Sequence, residues 1–144
     1  LRAHLSEDQK AEMLKGKLID DKGLIEILEN FFDGIQDQSR CVLDGFPRTL
    51  AQAQWLLRQH KAGRIKIAEV IYLEASKEVV TKRLLSRGRP DDTPEALHRR
   101  FSDYERLTLP IIDWFEENGI VVHHIDANRS VEEIHKDICD SLKR

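Results

Sequence analysis

The stretch Val42-Leu43-Asp44-Gly45-Phe46-Pro47-Arg48-Thr49 constrains this chain more than any other, because a short apolar run is followed at once by a carboxylate, a flexible turn and a guanidinium. Cys41 to Leu43 is apolar enough for a buried parallel strand, predicted over residues 40–44. Gly45 lets the backbone turn sharply, and Pro47 stops the strand from continuing. A crevice then opens at the carboxyl end of that strand, where phosphate-handling α/β proteins place their sites. Arg48 would project into it with a planar fork of donors suited to phosphate oxygens, and Asp44 could hold a magnesium-bound water. Taken alone, the same residues also describe a structural salt bridge at a tight turn, since Asp-Gly is an ordinary turn signal.

The remaining sequence alternates helical and short apolar segments, as an α/β protein does. Asp20 is placed to cap a helix with Leu24, Ile27, Leu28 and Phe31 on one face, and Gly34 follows it. Thr49 and Gln52 have the spacing of a capping box and open a helix to about Gln59; in that role Gln52 is occupied by the Thr49 amide. Glu69–Leu73 reads as a second strand, and Ser76 starts a helix that carries Arg83 and Arg87 on one face and stops at Gly88. Asp92-Thr93-Pro94-Glu95 opens another helix, with Asp92 as cap and Glu95 three residues later. Gly119 ends the helical region that follows, and Ile120–Ile125 reads as a third strand. Ser130 with Glu133 caps a last helix whose Val131, Ile134, Ile138 and Leu142 should face the core. His123 and His124 point to opposite faces of their strand and cannot jointly chelate; the histidines suggest no metal site.

A chain of 144 residues with 40% hydrophobic content is one domain's worth, with enough apolar surface for a core. A net charge of −3 does not indicate a polyanion-binding surface, so no nucleic-acid partner is expected. Cys41 and Cys139 lie far apart without metal-ligand spacing and read as reduced, buried thiols of a cytoplasmic protein. No run approaches the roughly 20 apolar residues of a membrane span, and no signal peptide is apparent. A monomer is expected.

Leu43-Asp44-Gly45-Phe46-Pro47-Arg48-Thr49, followed by Gln52, closely resembles the signature of adenylate kinases, within the nucleoside monophosphate kinase family of the P-loop fold. Leu1-Arg2 resembles the start of the family's monophosphate-binding helix, and Gly16-Lys17-Leu18-Ile19 the segment whose backbone reads adenine. Lys82-Arg83-Leu84-Leu85-Ser86-Arg87-Gly88-Arg89-Pro90-Asp91-Asp92-Thr93 through Arg100 resembles the short-lid arginine cluster. The resemblance implies an α/β fold with a parallel sheet flanked by helices, and reversible transfer converting ATP and AMP to two ADP with Mg2+. On the acceptor side it implies that Arg2 and Arg48 grip the monophosphate beside Gly45, Phe46 and Pro47, with Lys17, Leu18, Ile19 and Gln52 at the base. On the donor side Arg83 would stack on adenine, Arg87 would contact phosphates, and Arg129 would lie in the loop meeting the base through its backbone. Arg89 and Arg100 would swing in with the lid over the acceptor and the group being exchanged. Arg48, Arg87, Arg89 and Arg100 would thus carry catalysis, and Asp44 would hold the metal through water. Asp91 and Asp92 would anchor the lid by pairing with arginines. A solvated charged face is the bland alternative for this cluster.

One departure from the family pattern stands out. The seven glycines, at 16, 23, 34, 45, 63, 88 and 119, never fall in the G-x-x-x-x-G-K spacing that cradles donor phosphates. The family's sheet order is 2-3-1-4-5, and the three expected strands correspond to the third, fourth and fifth, leaving a central slot between the first two unless those pair directly. Residues 1–20 are therefore expected to be a remnant of the monophosphate-binding subdomain. Residues 21–144 would form the core, with a short lid at 86–93, and the chain as given is expected to be inactive in transfer. Thr49 after Pro47-Arg48 leans toward AMP; a UMP/CMP kinase is the runner-up, and a non-catalytic nucleotide-binding remnant is the reading from another class.

Overall fold

In the computed structural model, residues 20–34, 40–89 and 92–143 are described. Helix α1 (Asp21–Asp33) starts where the Asp20 carboxylate accepts from the Gly23 amide at 2.6 Å. Helix α2 (Leu50–Lys61) starts under the Thr49 hydroxyl, which accepts from the Gln52 amide at 3.3 Å. Each cap satisfies one of the amides that a helix start leaves without an internal partner. The two helices pack through Leu28, Ala53, Trp55, Leu56 and Leu57, with Ile111, Phe115 and Ile120 completing the main core. The buried face of α1 is turned from the expected one: Leu24, Ile25 and Phe32 pack beside Leu28, while Phe31 is 44% exposed. Phe32 is drawn inward by stacking on Trp55, ring centroids 6.1 Å apart.

Strands β1 (Val70–Glu74) and β2 (Val122–Asp126) form a two-stranded parallel sheet in register from Val70 with Val122 to Glu74 with Asp126. The connection between them carries helix α3 (Lys77–Arg87), helix α4 (Pro94–Asp103), a π-helical turn (Tyr104–Thr108) and helix α5 (Leu109–Glu117). Pro110 explains the wide turn: it has no N–H for the Arg106 carbonyl four residues back, and its ring displaces that carbonyl. The Leu109 amide instead reaches Tyr104 O, five residues back. Helix α6 (Val131–Ser141) opens with the expected capping box between Ser130 and Glu133. It packs Ile134 and Ile138 on Ile125, Ala127 and Ile71. Val131 and Leu142, expected to face the core, are 74% and 52% exposed.

Three further expectations are corrected. Residues 40–43 do not form a strand: no neighbouring strand among the described residues takes up their main-chain groups, and Val42 is 93% exposed. Cys41 is consequently exposed and Cys139 only half-buried, rather than both buried, and both cysteines are free thiols. The alternative in which this segment pairs directly with β1 does not occur among the described residues; β1 pairs with β2. Finally, the cap of α4 is Thr93, whose hydroxyl accepts from Ala96 N at 3.2 Å with Pro94 opening the helix, and not Asp92. The Asp92 carboxylate is instead occupied by arginines.

Candidate functional site

The turn at Asp44-Gly45 delivers Arg48 to the surface. Gly45 sits at φ +69°, a conformation that side chains resist, and a Cβ there would come within 2.6 Å of an Arg48 Nη. Arg48 Nε donates to Gly45 O at 2.7 Å, which folds the guanidinium over its own loop. The two Nη groups make no hydrogen bond to the described residues, so one edge of the fork stays available to an anion. Asp44 is exposed and likewise has no hydrogen bond or ion pair within the described residues. A structural Asp44–Arg48 salt bridge, the bland reading of this turn, is not formed among the ion pairs of the described residues.

Gln52 is only 2% exposed. Its Oε1 accepts from the Arg48 amide at 2.7 Å, and its Nε2 donates to Asp21 Oδ1 at 2.8 Å, so the capping-box partner is the Arg48 amide and not that of Thr49. The same Asp21 oxygen accepts from the Thr49 hydroxyl at 2.9 Å. On the other side, the Thr108 hydroxyl donates to Arg48 O at 2.9 Å. Asp21 and Thr108 were not apparent from sequence as partners of this loop. Asp21 reads there as an ordinary first-turn acid, and nothing local to Thr108 points 60 residues back.

Two of the arginines, Arg87 and Arg100, converge on one carboxylate. Arg87 reaches Asp92 through Nε to Oδ2 at 3.1 Å and Nη2 to Oδ1 at 2.7 Å, and Arg100 Nη1 reaches Asp92 Oδ1 at 2.9 Å. The Asp92 side chain is 2% exposed. Hydrogen bonds from Arg87, and then from Arg100, hold its carboxyl down to about 2 against the opposing effect of burial. The reading of this segment as a merely solvated charged face therefore fails for Arg87 and Arg100. Arg89 is exposed and donates no side-chain hydrogen bond to the described residues; its carbonyl accepts from the Asp92 amide at 3.0 Å.

Arg83, one helical turn from Arg87, faces a different structure. Its Nη1 donates to Ala127 O and its Nη2 to Arg129 O, both at 2.7 Å. The loop after β2 is thereby held to α3, and Asn128 ties it to the loop after β1 by accepting from Ser76 N at 2.8 Å. Arg129 itself pairs with Asp137 and Asp126. The planar faces of Arg83 remain the part able to stack on a ring.

Arg2, Lys17, Leu18 and Ile19 lie outside the described residues, as does Asp91. Among the described residues no three His, Cys, Asp or Glu side chains are grouped to hold a metal ion. A magnesium ion does not need such a cage: one hard carboxylate, waters and substrate phosphates suffice, and the unpartnered Asp44 carboxylate fits that demand. No helix among the described residues is long and apolar enough to cross a membrane.

Residues 2–120 match the adenylate kinase family model. The chain is 32% identical to an adenylate kinase of Bacteroides thetaiotaomicron over 144 residues, covering 97% of this chain and 76% of the relative. It is 33% identical to an adenylate kinase of Synechococcus sp., with 97% and 75% covered, and 37% identical to one of Prochlorococcus marinus, with 93% and 73% covered.

Proposed function

The chain belongs to the adenylate kinase family, and on that premise we propose that it takes part in reversible phosphoryl transfer between ATP and AMP, yielding two ADP. In that reaction an oxygen of the AMP phosphate attacks the γ-phosphorus of ATP, and the bond from that phosphorus to the β-phosphate oxygen breaks to release ADP. Several phosphate groups of like charge must be brought together, so the protein's work is positioning and charge stabilisation. The observation that carries the reading is Arg48: its Nε is anchored on Gly45 O at the end of the Asp44-Gly45 turn, and its Nη groups make no hydrogen bond to the described residues.

Within this reading Arg2 and Arg48 hold the AMP phosphate, and Gly45, Phe46 and Pro47 line the pocket. Lys17, Leu18, Ile19 and Gln52 contact the base; for Gln52 this would use the one amide hydrogen its internal bonds leave over. Arg83 stacks on the donor adenine beside the loop of Arg129. Arg87, Arg89 and Arg100 stabilise the transferring group as the segment at 86–93 closes over it. Asp92 gathers Arg87 and Arg100 in the meantime, limiting the repulsion between them. Magnesium, when bound, supplies charge neutralisation at the donor phosphates, and Asp44 would hold it through water. The 144 residues contain no glycine-rich lysine loop, so on their own we expect them to bind AMP but to turn over far below the usual kinase range of about 1 to 100 per second.

Calorimetric titration of the chain with AMP, UMP and CMP tests the acceptor assignment. AMP is expected to bind most tightly; tighter UMP or CMP binding would transfer the assignment to a pyrimidine monophosphate kinase. A coupled ADP-forming assay at saturating ATP and AMP tests transfer separately.

A further inference from the structure

We propose that Thr108 and Asp21 are positioning residues for Arg48: Thr108 holds its carbonyl directly, and Asp21 orients the Gln52 amide that takes its N–H, so that the guanidinium meets the acceptor phosphate at a fixed place. The inference rests on the acceptor-site reading of Arg48 given above. Arg48 lies in a connecting segment before α2, where main-chain groups are ordinarily left to water. Here its N–H is taken by Gln52 Oε1 at 2.7 Å and its carbonyl by Thr108 Oγ1 at 2.9 Å. The guanidinium stands at the end of a long side chain, so a small main-chain rotation becomes a large displacement at Nη. Misplacement by about 1 Å at a reacting centre is enough to cost roughly a hundredfold in rate.

Asp21 acts through Gln52. A glutamine amide presents an acceptor on one side and donors on the other, and only the orientation with Oε1 toward Arg48 N–H forms the observed bond. Asp21 Oδ1 selects that orientation by accepting from Nε2 at 2.8 Å, and its bond to the Thr49 hydroxyl holds the carboxylate in place. Without Asp21 the amide is free to turn over and set N–H against N–H. Gln52 is almost fully buried, so water cannot easily replace the lost partner.

Thr108 connects Arg48 to the other arginines. It closes the π-helical turn, and that turn continues directly from α4, which carries Arg100. Through one hydroxyl, the acceptor arginine is fixed relative to the segment that bears a lid arginine, although Thr108 lies 60 residues from Arg48 in sequence. Wide turns of this kind recur at functional sites, where the extra residue shifts the register of the downstream helix.

The test is AMP binding to the full chain, by calorimetry, together with thermal unfolding of each variant. Thr108→Val keeps the side-chain shape without the hydroxyl and should weaken AMP about five- to tenfold, as should Asp21→Ala, while Thr108→Ser and Asp21→Asn, which keep the needed donor or acceptor, should stay within about twofold of the parent. A purely structural role would lower the melting temperature and leave the Kd of the folded protein unchanged, and that result overturns the proposal. Thr108 is half-buried with an exposed hydrogen bond, so Thr108→Val carries the test if Asp21→Ala does not fold. Arg48→Ala separates the two levels of the argument. If it weakens AMP while Thr108→Val does not, only the positioning proposal falls; if Arg48→Ala itself has no effect, the acceptor-site reading falls and takes this proposal with it.

Discussion

Arg87 and Asp92 face each other across the Gly88 break and meet at two points, Nε to Oδ2 at 3.1 Å and Nη2 to Oδ1 at 2.7 Å. The carboxylate is buried, and two guanidiniums depress its pKa to about 2, below the ordinary value of 3.8. A depressed folded-state value means that its stabilising contribution is complete above about pH 4 and is lost as pH falls toward 2. Thermal unfolding of the parent and of Asp92→Asn should therefore differ at about pH 6 and converge as the pH is lowered through that window. A gap that persists undiminished at about pH 2 would show that the charge on Asp92 is not what matters.

The cluster of Arg87, Arg89 and Arg100 should be read out by a bisubstrate analogue that joins two adenosines through a phosphate chain. Arg87→Ala should weaken its binding about tenfold or more, the loss expected for a charge-assisted contact worth roughly 1.5 to 3 kcal/mol. In a complex structure with the same ligand, at least one of Arg87, Arg89 and Arg100 should reach the phosphates. All three pointing to solvent would remove the catalytic role assigned to them.

Arg48 and Arg58 both lie at the surface, but only Arg48 follows the Asp44-Gly45 turn and is anchored by Gly45. Arg48→Ala should cost about 1.5 to 3 kcal/mol of AMP affinity and Arg58→Ala almost nothing. Equal losses in calorimetry would move the acceptor site away from this loop.

His124 bridges two carboxylates, with Nδ1 3.3 Å from Glu74 and Nε2 3.2 Å from Glu116. The Glu74 contact, and then that of Glu116, raises its pKa above the ordinary 6.5. A raised folded value stabilises fully below pH 6.5 and ceases to do so as pH rises through that higher value. The parent should exceed His124→Gln in melting temperature at about pH 6 by more than it does at about pH 9. The opposite trend would contradict the pairing.

The two faces of α6 make a packing test. Ile134 is 9% exposed and Val131 is 74% exposed, one turn apart. Ile134→Ala should destabilise by about 2 to 5 kcal/mol, whereas Val131→Ala should stay within about 0.5 kcal/mol. Chemical denaturation of both variants measures the difference directly.

Helix starts were legible because capping is a local affair: Asp20, Thr49, Ser76 and Ser130 each bond an amide three residues ahead, within reach of a short sequence pattern. The Asp-Asp-Thr-Pro run misled for the complementary reason. Both Asp92 and Thr93 are competent caps, and the choice fell to Thr93 because Arg87 and Arg100 claim the carboxylate of Asp92. The adenylate kinase signature was legible for the same local reason, since its residues sit side by side in the chain.

The sequence by itself determined the turn at Gly45, the order of the arginines, and most of the helices and their caps, all set by interactions between near neighbours in the chain. Only the tertiary structure decided that residues 40–43 are not a strand, because a strand exists through its partner and β1 pairs with β2. It also decided which face of α1 is buried, through the stacking of Phe32 on Trp55, and which carboxylate gathers Arg87 and Arg100. Above all it brought Thr108 to Arg48 and Asp21 to Gln52. Those hydrogen bonds span tens of residues, and their partners become neighbours only after the helices have packed.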